Sequence, residues 1–392
     1  MPNEIEAIVA SLRDKQAAED VNQAFATVDR WNREARTADL LELATAIETA
    51  CDVEGAARFP YEAVADHIEE ELALTAGPDH LDALFALLSR PRVRSVQRAR
   101  PLEMRVRSFA SRLAHGQTKE ALEATVARHG ATAEHTEVLA CWMHETVLRG
   151  TSLDREPAIV SFHAKLAAAK HPLGVLPLTL LEAESEAPTY MPMYGANAIS
   201  NAVARLESGP TSARTLPPPG EHGAPSVTRI EDASLEARLR EAVLPWTTGS
   251  NGKAEAKAFR LEPALTEASP GRWLLRALAL DCVEGAEALH AERTSADAIW
   301  GALFAASANG GAYSSGVGGA YGRRAAWVSL AALLDAPASA TPLELDTLAP
   351  SARFLMFGAL GGWWNDVAWD IGVLAVRPGG ASVAVLAATD AD

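Results

Sequence analysis

Trp369-Asp370-Ile371-Gly372-Val373-Leu374-Ala375-Val376 and Ser382-Val383-Ala384-Val385-Leu386-Ala387 are two apolar, β-branched runs joined through Arg377-Pro378-Gly379-Gly380. Such runs favour extended backbone, and Pro and Gly supply the constrained φ of a turn, so the stretch predicts a C-terminal β-hairpin. A lone hairpin is marginal in water and needs earlier strands or covering helices. Working back from it, Val227 to Glu231 reads as a short strand and Ala233 to Val243 as a helix. Ala254 to Leu261 is an ambiguous strand, because Glu255, Lys257, Phe259 and Leu261 share one parity and the two faces do not separate. Helices are expected at Trp273 to Val283, Ala296 to Ala306, Arg323 to Leu334 and Ala352 to Leu360. Residues 226–392 therefore read as a mostly helical α+β domain ending in the hairpin.

Ahead of this domain, Ser208-Gly209-Pro210 through Leu216-Pro217-Pro218-Pro219-Gly220 to Pro225 has no apolar period and favours solvated, extended backbone. Residues 208–225 are the expected linker. Residues 1–207 carry apolar stripes at helical spacing, such as Ile5, Ile8, Val9 and Leu12, or Leu81, Leu84, Phe85 and Leu88. Breakers such as Gly77-Pro78-Asp79, Gly130 and Gly150-Thr151-Ser152 separate them. No fixed repeat is present. The expected fold is mainly α: an irregular helical array, solenoid-like or a bundle, followed by the α+β domain.

Composition narrows the functional classes. The 392 residues include 35 Lys+Arg and 51 Asp+Glu, a formal net charge of −16. That field repels a phosphate backbone, so no nucleic-acid partner is expected. Cys51, Cys141 and Cys282 are too few and too scattered for a disulfide framework or a Cys-rich zinc site. A reducing cytoplasm is the expected compartment. Neither a leader nor a membrane span is expected, since Met1-Pro2-Asn3-Glu4 opens no signal peptide and no window reaches the roughly 18 apolar residues of a span.

Two segments draw attention as sites. In Asn309-Gly310-Gly311-Ala312-Tyr313-Ser314-Ser315-Gly316-Val317-Gly318-Gly319-Ala320-Tyr321-Gly322-Arg323-Arg324, clustered glycines free backbone N–H groups for an anion. The following helix points its positive end there, and Arg323 or Arg324 adds full charge. Gly318, Gly319, Tyr321, Arg323, Arg324 and Trp369 are the candidate ligand-binding residues. No lysine completes a Walker loop, and Tyr321 stands where the dinucleotide fingerprint needs its third glycine. The blander alternative is a turn that passes close to neighbouring backbone while Tyr313 and Tyr321 pack. In Gly361-Gly362-Trp363-Trp364-Asn365-Asp366-Val367-Ala368-Trp369-Asp370, Asp366 and Asp370 are the candidate acid/base pair, or metal ligands with Asp390 and Asp392. Against this, Asp366 caps a helix and the tryptophans fill core between helices and hairpin.

Other motifs fail at identifiable positions. His144-Glu145-Thr146-Val147-Leu148 lacks the second histidine of a zinc-protease helix, Leu148 standing in its place. No Gly-x-Ser-x-Gly elbow is present. Neither a metal site nor a cofactor is expected. The arginines from Arg90 through Arg92, Arg94, Arg98, Arg100, Arg105, Arg107 and Arg112 form a positive island, read best as facing Glu69-Glu70-Glu71 across adjacent helices.

The stretches Gly310-Gly311-Ala312-Tyr313, Gly318-Gly319-Ala320-Tyr321-Gly322-Arg323 with Ala326-Trp327, Val367-Ala368-Trp369-Asp370 and Ala384-Val385-Leu386-Ala387-Ala388-Thr389-Asp390 together resemble a bacterial family known only as a domain of unknown function. The resemblance covers the last quarter of the chain and carries over no functional residue. Two functions are expected on the residues. The first is a non-catalytic interaction or regulatory scaffold, for which an immunity-like role fits, whose acidic surface meets a basic protein partner. The second is an enzyme or sensor that binds an anionic small ligand at the glycine-rich loop.

Overall fold

The computed structural model describes residues 4–14, 18–54, 59–89, 102–194, 225–265, 270–365 and 369–391. It divides into two compact units, Met1–Met143 and His144–Asp392. The boundary does not fall at the Pro-rich segment, of which residues 208–224 lie outside the described residues. It falls inside a helix, and residues 144–194 belong to the same compact unit as the C-terminal sheet.

The first unit is helical: α1 (Glu4–Asp14), α2 (Ala18–Arg33), α3 (Thr37–Glu54), α4 (Phe59–Leu74), α5 (Pro78–Leu88), α6 (Leu102–Gly116) and α7 (Lys119–His129), then the start of α8 (Thr136–Leu148). The apolar stripes are its core, with Ile5, Leu12, Leu81, Leu84 and Phe85 all buried. Helix α4 packs against α1, α2, α3, α5 and α6. That arrangement is a cluster about one buried helix, whereas in a solenoid each repeat touches only its neighbours. Of the arginine island, Arg90 to Arg100 lie outside the described residues, but Arg105 pairs with Glu69 and Arg112 Nε lies 3.4 Å from Glu70 Oε1. These are the intramolecular partners that the charge runs imply.

The second unit begins with α9 (Pro157–Ala168) and short 3-10 turns at Pro172–Val175, Glu182–Glu184 and Ala187–Tyr190. Then come β1 (Ser226–Ile230), α10 (Ala233–Arg240), α11 (Leu244–Gly249), β2 (Lys253–Glu262), α12 (Arg272–Ala277), β3 (Ala288–Thr294), α13 (Ala296–Asn309), α14 (Gly318–Leu333), α15 (Pro342–Leu348), β4 (Arg353–Leu360), β5 (Trp369–Val376) and β6 (Ser382–Asp390). The strands form one six-stranded sheet in the order β1-β2-β6-β5-β4-β3, and every pairing is antiparallel. The expected hairpin is its centre. Val373 faces Leu386 and Val376 faces Val383, and the turn closes through Arg377 N to Ser382 O at 3.0 Å, with Gly379 and Gly380 at φ 81° and 73°.

Two expectations are corrected here. Ala352 to Leu360 is not a helix but strand β4, and β3 was not anticipated. The edge strand β3 carries polar residues on both parities and β4 apolar ones, so neither shows a clean alternation, while the centre of the sheet is covered on both sides. One face, through Phe259, Leu261, Leu355, Phe357, Leu374, Val383 and Val385, packs on Leu274, Leu275, Leu278 and Trp364. The opposite face, rich in alanine (Ala256, Ala258, Ala375, Ala384, Ala388), is buried too and meets α10, α13 and α14. A doubly covered strand reads as a continuous apolar run without alternation. The mixed parity of β2 also resolves. Glu255 lies on the packed face with its carboxylate accepting from the backbone N–H of Asp281 at 3.0 Å and Cys282 at 2.8 Å, and Lys257 Nζ lies 2.6 Å away. Among the described residues, no helix is long and apolar enough to cross a membrane.

Candidate functional site

Helix α14 organises the second unit because its successive arginines diverge. On an α-helix, neighbours point about 100° apart, so Arg323 turns inward and Arg324 outward. Arg323 is 0% exposed. Its Nε and Nη2 grip Glu184 at 2.7 and 2.6 Å, Nη2 also donates to Thr179 O at 2.9 Å, and Nη1 donates to Pro177 O at 2.8 Å and to His144 Nδ1 at 3.2 Å. Every N–H of the guanidinium has an acceptor. Glu184, equally buried, receives Trp327 Nε1 at 2.6 Å and its own turn's Leu181 N at 3.0 Å besides the arginine. Burial, the Arg323 charge and His163 push the His144 pKa well below the ordinary imidazole value, against a smaller opposing pull from the Leu173 backbone. The ring is neutral, and since arginine can only donate, Nδ1 is its acceptor and the proton sits on Nε2.

Both ends of α14 are met by internal charges. At the N-terminus, Glu145 Oε1 accepts from Ala320 N at 3.2 Å. At the C-terminus, buried Arg377 from the hairpin turn donates to Leu333 O at 3.2 Å and Ala332 O at 2.9 Å. An anion at the positive end and a cation at the negative end both stabilise a helix. The glycine-rich loop holds a second carboxylate, Asp390, whose Oδ2 accepts from Ala312 N at 2.8 Å. A Cβ at Gly319 would stand 2.6 Å from Glu145 Oε1, and one at Gly311 only 1.9 Å from Asp390 Oδ2. These glycines admit the protein's own carboxylates, so the anion expected at this loop is intramolecular.

The outward face of α14 leads to a cavity of about 380 Å³. Arg324, Trp327, Val328 and Ala331 form one wall, α10 contributes Arg238, and the end of α9 with the turn after it contributes Lys170, His171 and Val175. Pro342 and Leu345 of α15 lie on the remaining side with the hydroxyl-bearing Ser339 and Thr341. Arg238 is held by Nη1 donating to Ala336 O at 3.0 Å, and Arg324 by Glu241 at 3.0 Å. Lys170 has φ 57°, a left-handed backbone that a lysine adopts at some cost. Among the described residues lining the cavity, four carry basic side chains and none a carboxylate.

The residues expected from sequence thus part company. Gly318 and Gly319 begin α14 beside Glu145, Arg323 is sealed against Glu184, and Arg324 reaches the cavity. Tyr321 is half-buried on α14, and Tyr313 is exposed rather than packed. Trp369 opens β5 opposite Asp390. Asp370 accepts from Thr389 Oγ1, whereas Asp366 and Asp392 lie outside the described residues. Trp364 is buried and donates to Cys282 O at 2.7 Å, in keeping with the core reading of the tryptophans. Lys170, His171 and Arg238 were not anticipated. The dense pair Lys170-His171 before Pro172 is a local signal of a basic turn, but nothing in its spacing connects it to Arg238 or Arg324.

No curated protein and no solved structure matches the chain. A family model covers residues 22–392, almost the whole length and far more than the C-terminal segments that first suggested it. The chain belongs to this family of unknown function, DUF6183.

Proposed function

We propose that the chain is a regulatory protein whose second unit binds a small anionic ligand in the cavity walled by α9, α10, α14 and α15. The observation that carries this reading is the convergence of Lys170, His171, Arg238 and Arg324 on one cavity in a chain of net charge −16. A field of that sign repels anions, so a basic recess within it is selective by contrast. The volume suits a small organic molecule, and the apolar surfaces of Val328, Ala331, Pro342 and Leu345 suit one with a carbon body as well as an acidic group. Arginine favours carboxylate or phosphate, which it meets with two parallel hydrogen bonds. The lining supplies basic side chains that bind and orient an anion, and its Thr341 hydroxyl is engaged in the cap of α15, donating to Glu344 at 2.9 Å, which favours sensing over turnover.

A thermal-shift screen with sugar phosphates, nucleoside monophosphates and dicarboxylates tests the proposal. A ligand at 100 times its Kd adds about 2.7 kcal/mol of stability. The expected outcome is a rise in Tm with at least one acidic compound that Arg238→Ala abolishes. A panel without any shift, or a shift unchanged by that substitution, overturns it.

A further inference from the structure

The first unit contains a separate cluster, between α2 and α4, that the proposed pocket does not use. His67 and Glu71 lie one turn apart on α4, so both side chains rise from one face. Asp29 comes from α2, which packs against that helix. One ligand atom from each of the three lies within 4.8 Å of the other two, and His67 Nε2 is 2.6 Å from Asp29 Oδ1. We propose that Asp29, His67 and Glu71 bind a divalent first-row transition metal, with Zn²⁺ the best fit.

Charge and donor type support this assignment. An imidazole supplies at most one positive charge, so two carboxylates converging on it leave an excess that a dication neutralises. One nitrogen and two carboxylate oxygens suit zinc and its neighbours, whereas magnesium and calcium favour oxygen alone. Three protein ligands leave coordination positions for water. Behind the cluster stands an orienting network of the kind that supports metal ligands. Asn32 Nδ2 donates to Glu71 Oε2 at 2.5 Å and to Thr75 Oγ1 at 2.8 Å, while Asn32 Oδ1 meets His80 Nε2 at 3.0 Å. Asn32 and His80 are buried, so the Glu71 carboxylate is fixed from the protein side.

The test uses the full chain, stripped with a chelator and titrated with Co²⁺ and then Zn²⁺ in millimolar Mg²⁺. The expected result is one equivalent bound, with a visible Co²⁺ absorption band that Zn²⁺ displaces. His67→Ala and Glu71→Gln each weaken binding at least about 100-fold, and Asn32→Ala, which removes a positioning residue, weakens it about 10- to 100-fold with a shifted band. Circular dichroism establishes which variants fold, and Glu71→Gln, close in shape to the native side chain, decides the matter should His67→Ala unfold. No stoichiometric binding in the native chain, or binding that Glu71→Gln leaves unchanged, overturns the proposal. Diffuse attraction to the acidic surface is removed by Mg²⁺ and counts as no binding.

Discussion

Arg323 and Arg324 are neighbours in sequence and identical in chemistry, yet they occupy opposite kinds of environment. Around Arg323 all five donors and the facing carboxylate of Glu184 are matched inside the buried core. Around Arg324, 35% of the side chain is exposed and a single carboxylate, Glu241, shares the charge. A fully matched buried pair fixes segments relative to each other and has no capacity left for a ligand. A half-neutralised arginine at a cavity mouth keeps that capacity. The comparison shows that an arginine beside a glycine-rich loop is not in itself a binding residue; its direction around the helix decides.

The largest effect is expected from Glu184→Gln, which leaves the Arg323 charge buried without its counter-charge. A loss of about 3–5 kcal/mol in chemical unfolding is predicted. A loss below 1 kcal/mol would mean that water reaches the pair and that the two environments are not distinct. Gly319→Ala comes next. The added methyl meets Glu145 and has to displace it from Ala320 N. The clash outweighs the roughly 1 kcal/mol that alanine adds in helix propensity, so a net loss of about 1–3 kcal/mol is expected. A stabilised variant would show that the carboxylate is not fixed at the helix end.

The dependence on pH is smaller and has a definite sign. The folded-state pKa of His144 is depressed, as are those of His163, His80 and His129, each chiefly by burial. The unfolded chain takes up these protons near the ordinary imidazole value of about 6.5. Stability is therefore intact above about pH 6.5 and falls as the pH drops below it, by at most about 1.4 kcal/mol per pH unit for each group. His144→Asn keeps an acceptor for Arg323 and removes one proton from the slope. Urea unfolding between pH 7 and 5 measures both, and parallel slopes for the two proteins would contradict a neutral buried His144.

Local patterns revealed the hairpin because its turn chemistry and β-branched runs are written within about 20 residues, Pro378, Gly379 and Gly380 included. They also revealed the pairing of Arg105 and Arg112 with Glu69 and Glu70, since both charge runs are dense. Strand β4 was hidden by its composition: Leu355, Met356 and Leu360 are good helix formers, and its less buried positions after Arg353 are apolar too, so no polar residue alternates with its buried face. The unit boundary after Met143 was hidden because it lies inside a continuous helix, with no change in composition to mark it. The candidate site was legible only as a region. Glu184 is 139 residues from Arg323 and Lys170 belongs to another helix's end, so only the tertiary fold pairs them.

Unfolding Arg323→Lys and Arg324→Lys side by side tests this division most directly. Lysine keeps the charge but lacks the planar fork, so it cannot serve five acceptors. The expected result is a loss of about 3 kcal/mol or more at position 323 and less than about 0.5 kcal/mol at position 324, where an exposed pair contributes little. Equal losses, or the larger loss at 324, would contradict a sealed Arg323 and a cavity-facing Arg324.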